Sequence, residues 1–166
     1  MNKSNPYECI YSLPELSALR KSWAEKNEVV VFTNGVFDLI HPGHIIYLEE
    51  AAALGTKLIL GLNSDASAKT LNKGDHRPIN DEKARSIVIS SLKSIDAVVL
   101  FDESTPINII ETLRPDILVK GGDYTIDQIV GAKEVIANGG KVKQLQFVEG
   151  YSTTTIEQKI QKAVLK

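Results

Sequence analysis

The chain has 166 residues, 43% of them apolar, a formal net charge of −2 and one cysteine. That length suits one domain with a sizeable core, the charge gives no general pull toward nucleic acid or a membrane surface, and a single cysteine excludes an internal disulfide framework. The polar start Met1-Asn2-Lys3-Ser4-Asn5-Pro6 holds no apolar signal core and no apolar run approaches membrane-spanning length, so the expected compartment is the cytoplasm.

Residues 1–12 read as a loose leader. Pro14 to Lys26 place Leu16, Leu19 and Trp23 on one face, which predicts an amphipathic helix. Together they form a segment, 1–28, ahead of a single domain, 29–166. The apolar run Val29–Asn34 predicts a first, buried strand. Gly43–Leu54 carries helical spacing and is closed by Gly55. Leu58–Asn63 is the second strand. Ala66 to Arg77 is polar, a short helix followed by a loop with Lys69, Lys73 and Arg77. Asp81–Leu92 predicts a helix capped by Asn80, and Ala97–Phe101 the third strand. Pro106–Leu113 is a helix ended by Arg114-Pro115. Ile117–Lys120 is the fourth strand, Lys133–Asn138 a helix stopped by Gly139-Gly140, Lys141–Leu145 the fifth strand and Thr154–Val164 the closing helix. Strands alternating with helices predict an α/β fold: a doubly wound, Rossmann-like, five-stranded parallel sheet with helices on both faces.

His41-Pro42-Gly43-His44 falls at the first strand-to-helix turn. Pro42 suits the first helical position, where its missing N–H would have had no partner. Gly43 lets a bulky ligand approach the backbone. The free amides and the positive end of the helix dipole favour phosphate there, and two imidazoles add donors beside it. Two histidines three residues apart can also bind zinc, but a metal site needs further ligands. Cys9 lies far upstream and His76 in a loop, so no protein metal site is expected. Ser152-Thr153-Thr154-Thr155 opens the last helix. Thr154 with Glu157 fits a capping box, yet four consecutive hydroxyl residues exceed what one cap requires, so capping and phosphate binding are expected together.

Thr33-Asn34-Gly35-Val36-Phe37-Asp38 followed by His41-Pro42-Gly43-His44 resembles the nucleotidyltransferases with the His-x-Gly-His signature. Gly150-Tyr151-Ser152-Thr153-Thr154 resembles their second signature. With Asn63-Ser64-Asp65, Arg77-Pro78, Lys120-Gly121-Gly122-Asp123-Tyr124 and Gly131-Ala132-Lys133-Glu134-Val135 between them, the set is most similar to the adenylyltransferase domains of ADP-heptose synthases. The resemblance runs from about Val29 to Ile160. It implies a strand order 3-2-1-4-5, whose winding reverses between strands one and four. Ligands bind at such a switch point, outside the carboxyl ends of the strands, and the loops after strands one, four and five should meet there.

Site residues follow from the resemblance and from the residues' own chemistry. His41 and His44 would donate to phosphate oxygens, and Lys73 aligns with a family lysine that contacts the nucleotide phosphates. Asn34, Gly35, Val36, Phe37 and Gly43 at the first turn, and Gly150, Ser152, Thr153 and Thr154 at the last, would hold the nucleotide. Lys120, Gly121, Gly122 and Asp123 would offer adenine a flat slot. Arg85 aligns with an arginine that points into the site; Arg77 and Asn63 would face the acceptor. Asp38 is open between capping the turn, orienting a histidine and positioning the acceptor or Mg²⁺. Related cytidylyltransferases carry an arginine five residues before the serine; Phe147 stands there, which disfavours CTP and fits ATP. Phe147 turned inward would stack on the base; packed as the end of the fifth strand it would not.

The activity implied is transfer of AMP from ATP to a sugar 1-phosphate such as D-glycero-β-D-manno-heptose 1-phosphate, with Mg²⁺ carried mainly by the ATP. A cytidylyltransferase for a polyol or amino-alcohol phosphate is the alternative, and a nucleotide-binding sensor without turnover the alternative from another class. Bifunctional relatives fuse a sugar kinase ahead of this domain. Only about 28 residues precede the first strand here, so the kinase is expected to be a separate protein. A homodimer is compatible with this reading.

Overall fold

The computed structural model describes residues 5–71, 76–123 and 125–164. Lys73 and Tyr124 lie outside the described residues. In chain order the elements are β1 (Ile10–Tyr11), α1 (Leu13–Glu25), β2 (Val30–Gly35), α2 (Pro42–Ala52), β3 (Lys57–Asn63), α3 (Asp65–Thr70), α4 (Glu82–Ser90), β4 (Ala97–Phe101), α5 (Ile107–Leu113), β5 (Ile117–Gly121), α6 (Ala132–Ala137), β6 (Lys141–Leu145) and α7 (Thr153–Val164).

All strand pairs are parallel, in the order β1-β4-β3-β2-β5-β6. The sheet therefore has six strands and not five: the expected five run in the order β4-β3-β2-β5-β6, and β1 is added at the β4 edge. The strand missed is β1, where Ile10 pairs with Val98 and Tyr11 with Val99. Two residues are too few to show a period. The described part of the leader is thus part of the fold. Its Pro6–Cys9 stretch forms a 3₁₀ turn. Ser12 and Glu15 make a capping box that starts α1, whose Leu16 and Trp23 are buried.

β2, β3 and β4 read as unbroken apolar runs because both their faces are covered. Leu16, Trp23, Ile109, Ile110, Leu113, Ala132 and Val135 from α1, α5 and α6 pack on Val30, Phe32, Ile59 and Leu118. On the other face Tyr47, Leu48 and Ala51 of α2 and Ile89 of α4 pack on Val31, Leu58, Leu60 and Val119. Neither cluster includes a residue of α7.

The predicted cap of α4 changes. Asp81, not Asn80, caps α4, accepting from the Ala84 amide at 2.7 Å. Asn80 instead donates its side-chain amide to the Asp38 carbonyl. β2 neighbours β3 on one side and β5 on the other. The winding reverses between β2 and β5, which opens a crevice at their carboxyl ends.

Candidate functional site

A cavity of about 590 Å³ occupies that crevice. Its first wall is the turn from β2 into α2. A side chain at Gly35 would stand 2.8 Å from the Phe37 ring, so only glycine lets the ring fold back here. Phe37 is left-handed (φ 48°), a region that costs a non-glycine residue roughly 1–2 kcal/mol. Its ring lies 5.2 Å from that of His44. Asp38 is buried, and its two carboxylate oxygens accept the amides of Ile79 and Asn80 at 2.7 and 2.8 Å. The role observed lies outside those left open for it: it fastens the loop ahead of α4 to this turn.

His41 is the N-cap residue of α2, with Pro42 at the first helical position as its geometry favours. The His41 carbonyl accepts the His44 amide at 2.9 Å. The two imidazoles stack with centroids 3.8 Å apart and planes 15° from parallel. Burial lowers the pKa of His41, so it is neutral at pH 7. Its Nδ1 is buried and has no hydrogen-bond partner on another described residue.

The facing wall comes from β5, from the segment after β6 and from α7. Lys120 donates to Asn34 Oδ1 at 3.0 Å, bridging β5 and β2. Gly121 sits between two rings: a side chain there would stand 3.1 Å from both Phe147 and Tyr47. Phe147 lies beyond the end of β6, is 72% exposed and lines the cavity, so it is not core. Ser152 caps α7, its hydroxyl accepting the Thr155 amide at 3.1 Å. Glu157 does not complete a capping box with Thr154. It takes Arg77 in a two-bond pair, Nε to Oε1 at 2.7 Å and Nη2 to Oε2. That pair ties the loop ahead of α4 to α7.

Two helix N-termini thus open on one cavity, α2 through Gly43 and His44 and α7 through Ser152, Thr153 and Thr154. They touch directly: a side chain at Gly43 would stand 3.1 Å from His41 Nδ1 and 3.2 Å from Tyr151 Cβ. Both helix dipoles favour an anion between them, and the cations Lys120 and Arg77 are beside it.

Among the expected site residues, Asn34, Gly35, Val36, Phe37, Asp38, His41, Gly43, His44, Arg77, Lys120, Gly121, Phe147, Ser152, Thr153 and Thr154 line the cavity. Five do not. Arg85 is fully buried and spends its guanidinium on Val36, Asn63 and Asn80 carbonyls and the Asp65 carboxylate. It braces the turn from behind. Asn63 is buried and donates to Ser67 Oγ at 2.9 Å. Gly122 (φ 112°) gives its amide to the Leu145 carbonyl, Asp123 is exposed, and Gly150 (φ 84°) makes the turn before α7.

Tyr47, Ala68, Pro78, Val148 and Tyr151 also line the cavity and were not anticipated. For Tyr47 a signal existed, since it follows His44 by three residues and so shares its helix face. Among the described residues no three His, Cys, Asp or Glu side chains gather as a metal site, and no helix is long and apolar enough to cross a membrane.

The cytidylyltransferase-like family model matches residues 32–159. The Bifunctional protein HldE of Marinomonas sp. (strain MWYL1) is 59% identical over 132 residues, covering 80% of this chain and 28% of that one. That of Gluconobacter oxydans (strain 621H) is 49% identical over 165 residues, 94% and 34%. The chain spans about a third of the length of the curated relatives it matches. Among solved structures, the lipopolysaccharide core biosynthesis protein from Thermoplasma volcanium GSS1 aligns with TM-score 0.60 and 31% identity over 75% of this chain and 99% of that one. The pantoate-beta-alanine ligase of Francisella tularensis, at TM-score 0.59 and 14% identity over 89% and 75%, shares the fold.

Proposed function

This chain belongs to the cytidylyltransferase-like family, and from that premise we propose that it transfers AMP from ATP to a sugar 1-phosphate, giving an ADP-sugar and pyrophosphate. The acceptor is D-glycero-β-D-manno-heptose 1-phosphate. One observation carries the reading: the stacked His41–His44 pair and the hydroxyl-rich start of α7 face the same cavity. Its volume, about 590 Å³, falls in the range of small-molecule sites. The heptose follows from the sequence motifs, and the likeness to a lipopolysaccharide core biosynthesis protein supports it.

In the reaction a 1-phosphate oxygen attacks the α-phosphorus of ATP. A new P–O bond forms as the bond to the pyrophosphate oxygen breaks. The nucleophile is already an anion at neutral pH, so the protein's task is positioning and charge stabilisation. Imidazole N–H groups of His41 and His44 donate to oxygens on which charge grows. The α7 hydroxyls and amides hold the β- and γ-phosphates, with Lys73 assigned to the same phosphates by the resemblance alone. Arg77 offers the acceptor the donors that Glu157 leaves unused. Mg²⁺ enters on the nucleotide, where it neutralises phosphate charge. The lining fits that role, since Asp38, the one carboxylate among its described residues, already accepts two amides.

Adenine is favoured over cytosine because Phe147 presents an exposed ring beside Gly121. The sugar must arrive phosphorylated. The relatives matched are named bifunctional and extend well beyond the stretch matched here, which leaves room in them for a second activity and speaks against the expected separate sugar kinase. Pyrophosphate release, measured over the four nucleoside triphosphates against heptose 1-phosphate, other sugar 1-phosphates and polyol phosphates, tests the reading. Turnover with ATP and heptose 1-phosphate is expected. Turnover confined to CTP and a polyol phosphate would replace it with the cytidylyl alternative, and nucleotide binding without turnover with a sensor.

A further inference from the structure

We propose that Tyr47 is a positioning residue whose buried hydroxyl, bonded to Thr33 of β2 and reaching Val119 of β5, fixes the rotation of α2 and thereby the placement of His41 and His44. This rests on the nucleotidyl-transfer reading for its kinetic consequence, but not for its structural one.

The Tyr47 hydroxyl lies 2.6 Å from Thr33 Oγ1 and donates to the Val119 carbonyl at 3.5 Å. Thr33 is fully buried and Tyr47 is 8% exposed. Burial pushes the Tyr47 phenol up to about 12, so the hydroxyl keeps its proton. Either hydroxyl can donate across the 2.6 Å bond; when Thr33 does, the Tyr47 proton goes to the Val119 carbonyl. A single side chain of α2 is therefore pinned to two adjacent strands, β2 and β5, at the point where the winding reverses. Its ring edge also closes the space beside Gly121.

Position matters here. His44 precedes Tyr47 by three residues, so the two occupy adjacent turns on one helix face. His41 is the helix's N-cap, one further turn away. Burial of Leu48 and Ala51 fixes how deep α2 lies on the sheet, but apolar contacts are non-directional. A hydrogen bond with a preferred angle does what they cannot, which is to resist a small roll of the helix. Misplacement of reacting groups by about 1 Å can cost on the order of a hundredfold in rate.

The test uses Tyr47→Phe and Thr33→Val, which keep volume and remove the bond from either end. Each should lower kcat roughly ten- to a hundredfold with KM for ATP within about twofold, and the double variant should lose no more than either alone, since coupled partners are non-additive. Ile109→Val, in the core on the opposite face, supplies a stability control: it should lower Tm yet keep kcat. Full kcat in Tyr47→Phe overturns the proposal, as does a kcat loss in Ile109→Val of the same size at matched Tm. Should the native chain turn over no nucleotide, the function reading fails by itself. Imidazole NMR of the free protein then decides for Tyr47. Resonances of His41 and His44 shifted in Tyr47→Phe, with His76 unmoved, uphold it; three unmoved histidines overturn it.

Discussion

Stacked at 3.8 Å, His41 and His44 divide one task between two environments. His41 is disfavoured as a cation by burial, and nothing but a ligand's negative charge would reverse that. Binding of a triphosphate should therefore be accompanied by proton uptake at His41. Calorimetry of ATP binding in two buffers of different ionisation enthalpy reads the uptake, and His41→Asn should abolish it. The same shift has a stability consequence. The folded pKa lies below the unfolded one, near 6.5, so the unfolded chain binds more protons as pH falls. The contribution of His41 to stability is complete above about pH 6.5 and declines as the pH drops through that value. His44→Ala should lower kcat by about two to three orders of magnitude, the loss seen when one preorganised donor is removed. ATP affinity should stay within a few fold, because the lost interaction strengthens mainly in the transition state. A near-normal kcat with a raised KM would make His44 a ground-state contact. Side-chain chemistry made these two residues readable from sequence. Arg85 was not, because a cation near a phosphate loop and a cation bracing that loop from inside have the same spacing. Only its four bonds to protein groups tell them apart.

At the scale of elements, the starts of α2 and α7 meet closely at Gly43. Gly43 permits it, since a methyl group there would press on His41 and on Tyr151 at once. Gly43→Ala should push the two helix starts apart and weaken ATP binding by about tenfold, while far-ultraviolet circular dichroism stays native. Unchanged affinity would mean that the two dipoles do not act on one anion. The long apolar strands and the helices with clear period were legible, because burial on two faces or on one writes itself into the residue pattern. β1 was not legible, being two residues held by β4 rather than by its own composition. Nor was the role of Glu157. Three residues beyond Thr154 it fits a capping box, but Arg77, 80 positions away in sequence, offers a charged two-bond partner. Charge-assisted pairs of that geometry are stronger than a neutral cap. Contacts made across such separations leave no local trace.

At the scale of the whole molecule, the core and the site draw on different parts of the chain. The buried residues of both apolar clusters run from Leu16 to Val135, the partly buried ones packed on them from Ile10 to Leu145, and α7 buries no residue completely. Yet Ser152, Thr153 and Thr154 form a wall of the cavity, and Glu157 holds Arg77 in place. Stability and ligand binding should therefore separate cleanly at the C-terminus. A chain ending at Leu145 loses the part-buried Arg77–Glu157 pair and a few half-buried contacts, but no residue of either apolar cluster's buried core. It should fold cooperatively, with a native circular dichroism spectrum and a Tm only a few degrees lower. It should not bind ATP detectably, because it lacks one of the two helix N-termini and the Phe147 ring, and base stacking on an aromatic contributes about 1–3 kcal/mol by itself. Thermal shift reports both at once. The full chain should gain Tm with rising ATP, as any ligand selective for the native state demands, and the shortened chain should not. An unfolded truncation would place α7 in the core after all. A truncation that still responds to ATP would move the nucleotide away from α7 and leave the histidine turn to hold it alone.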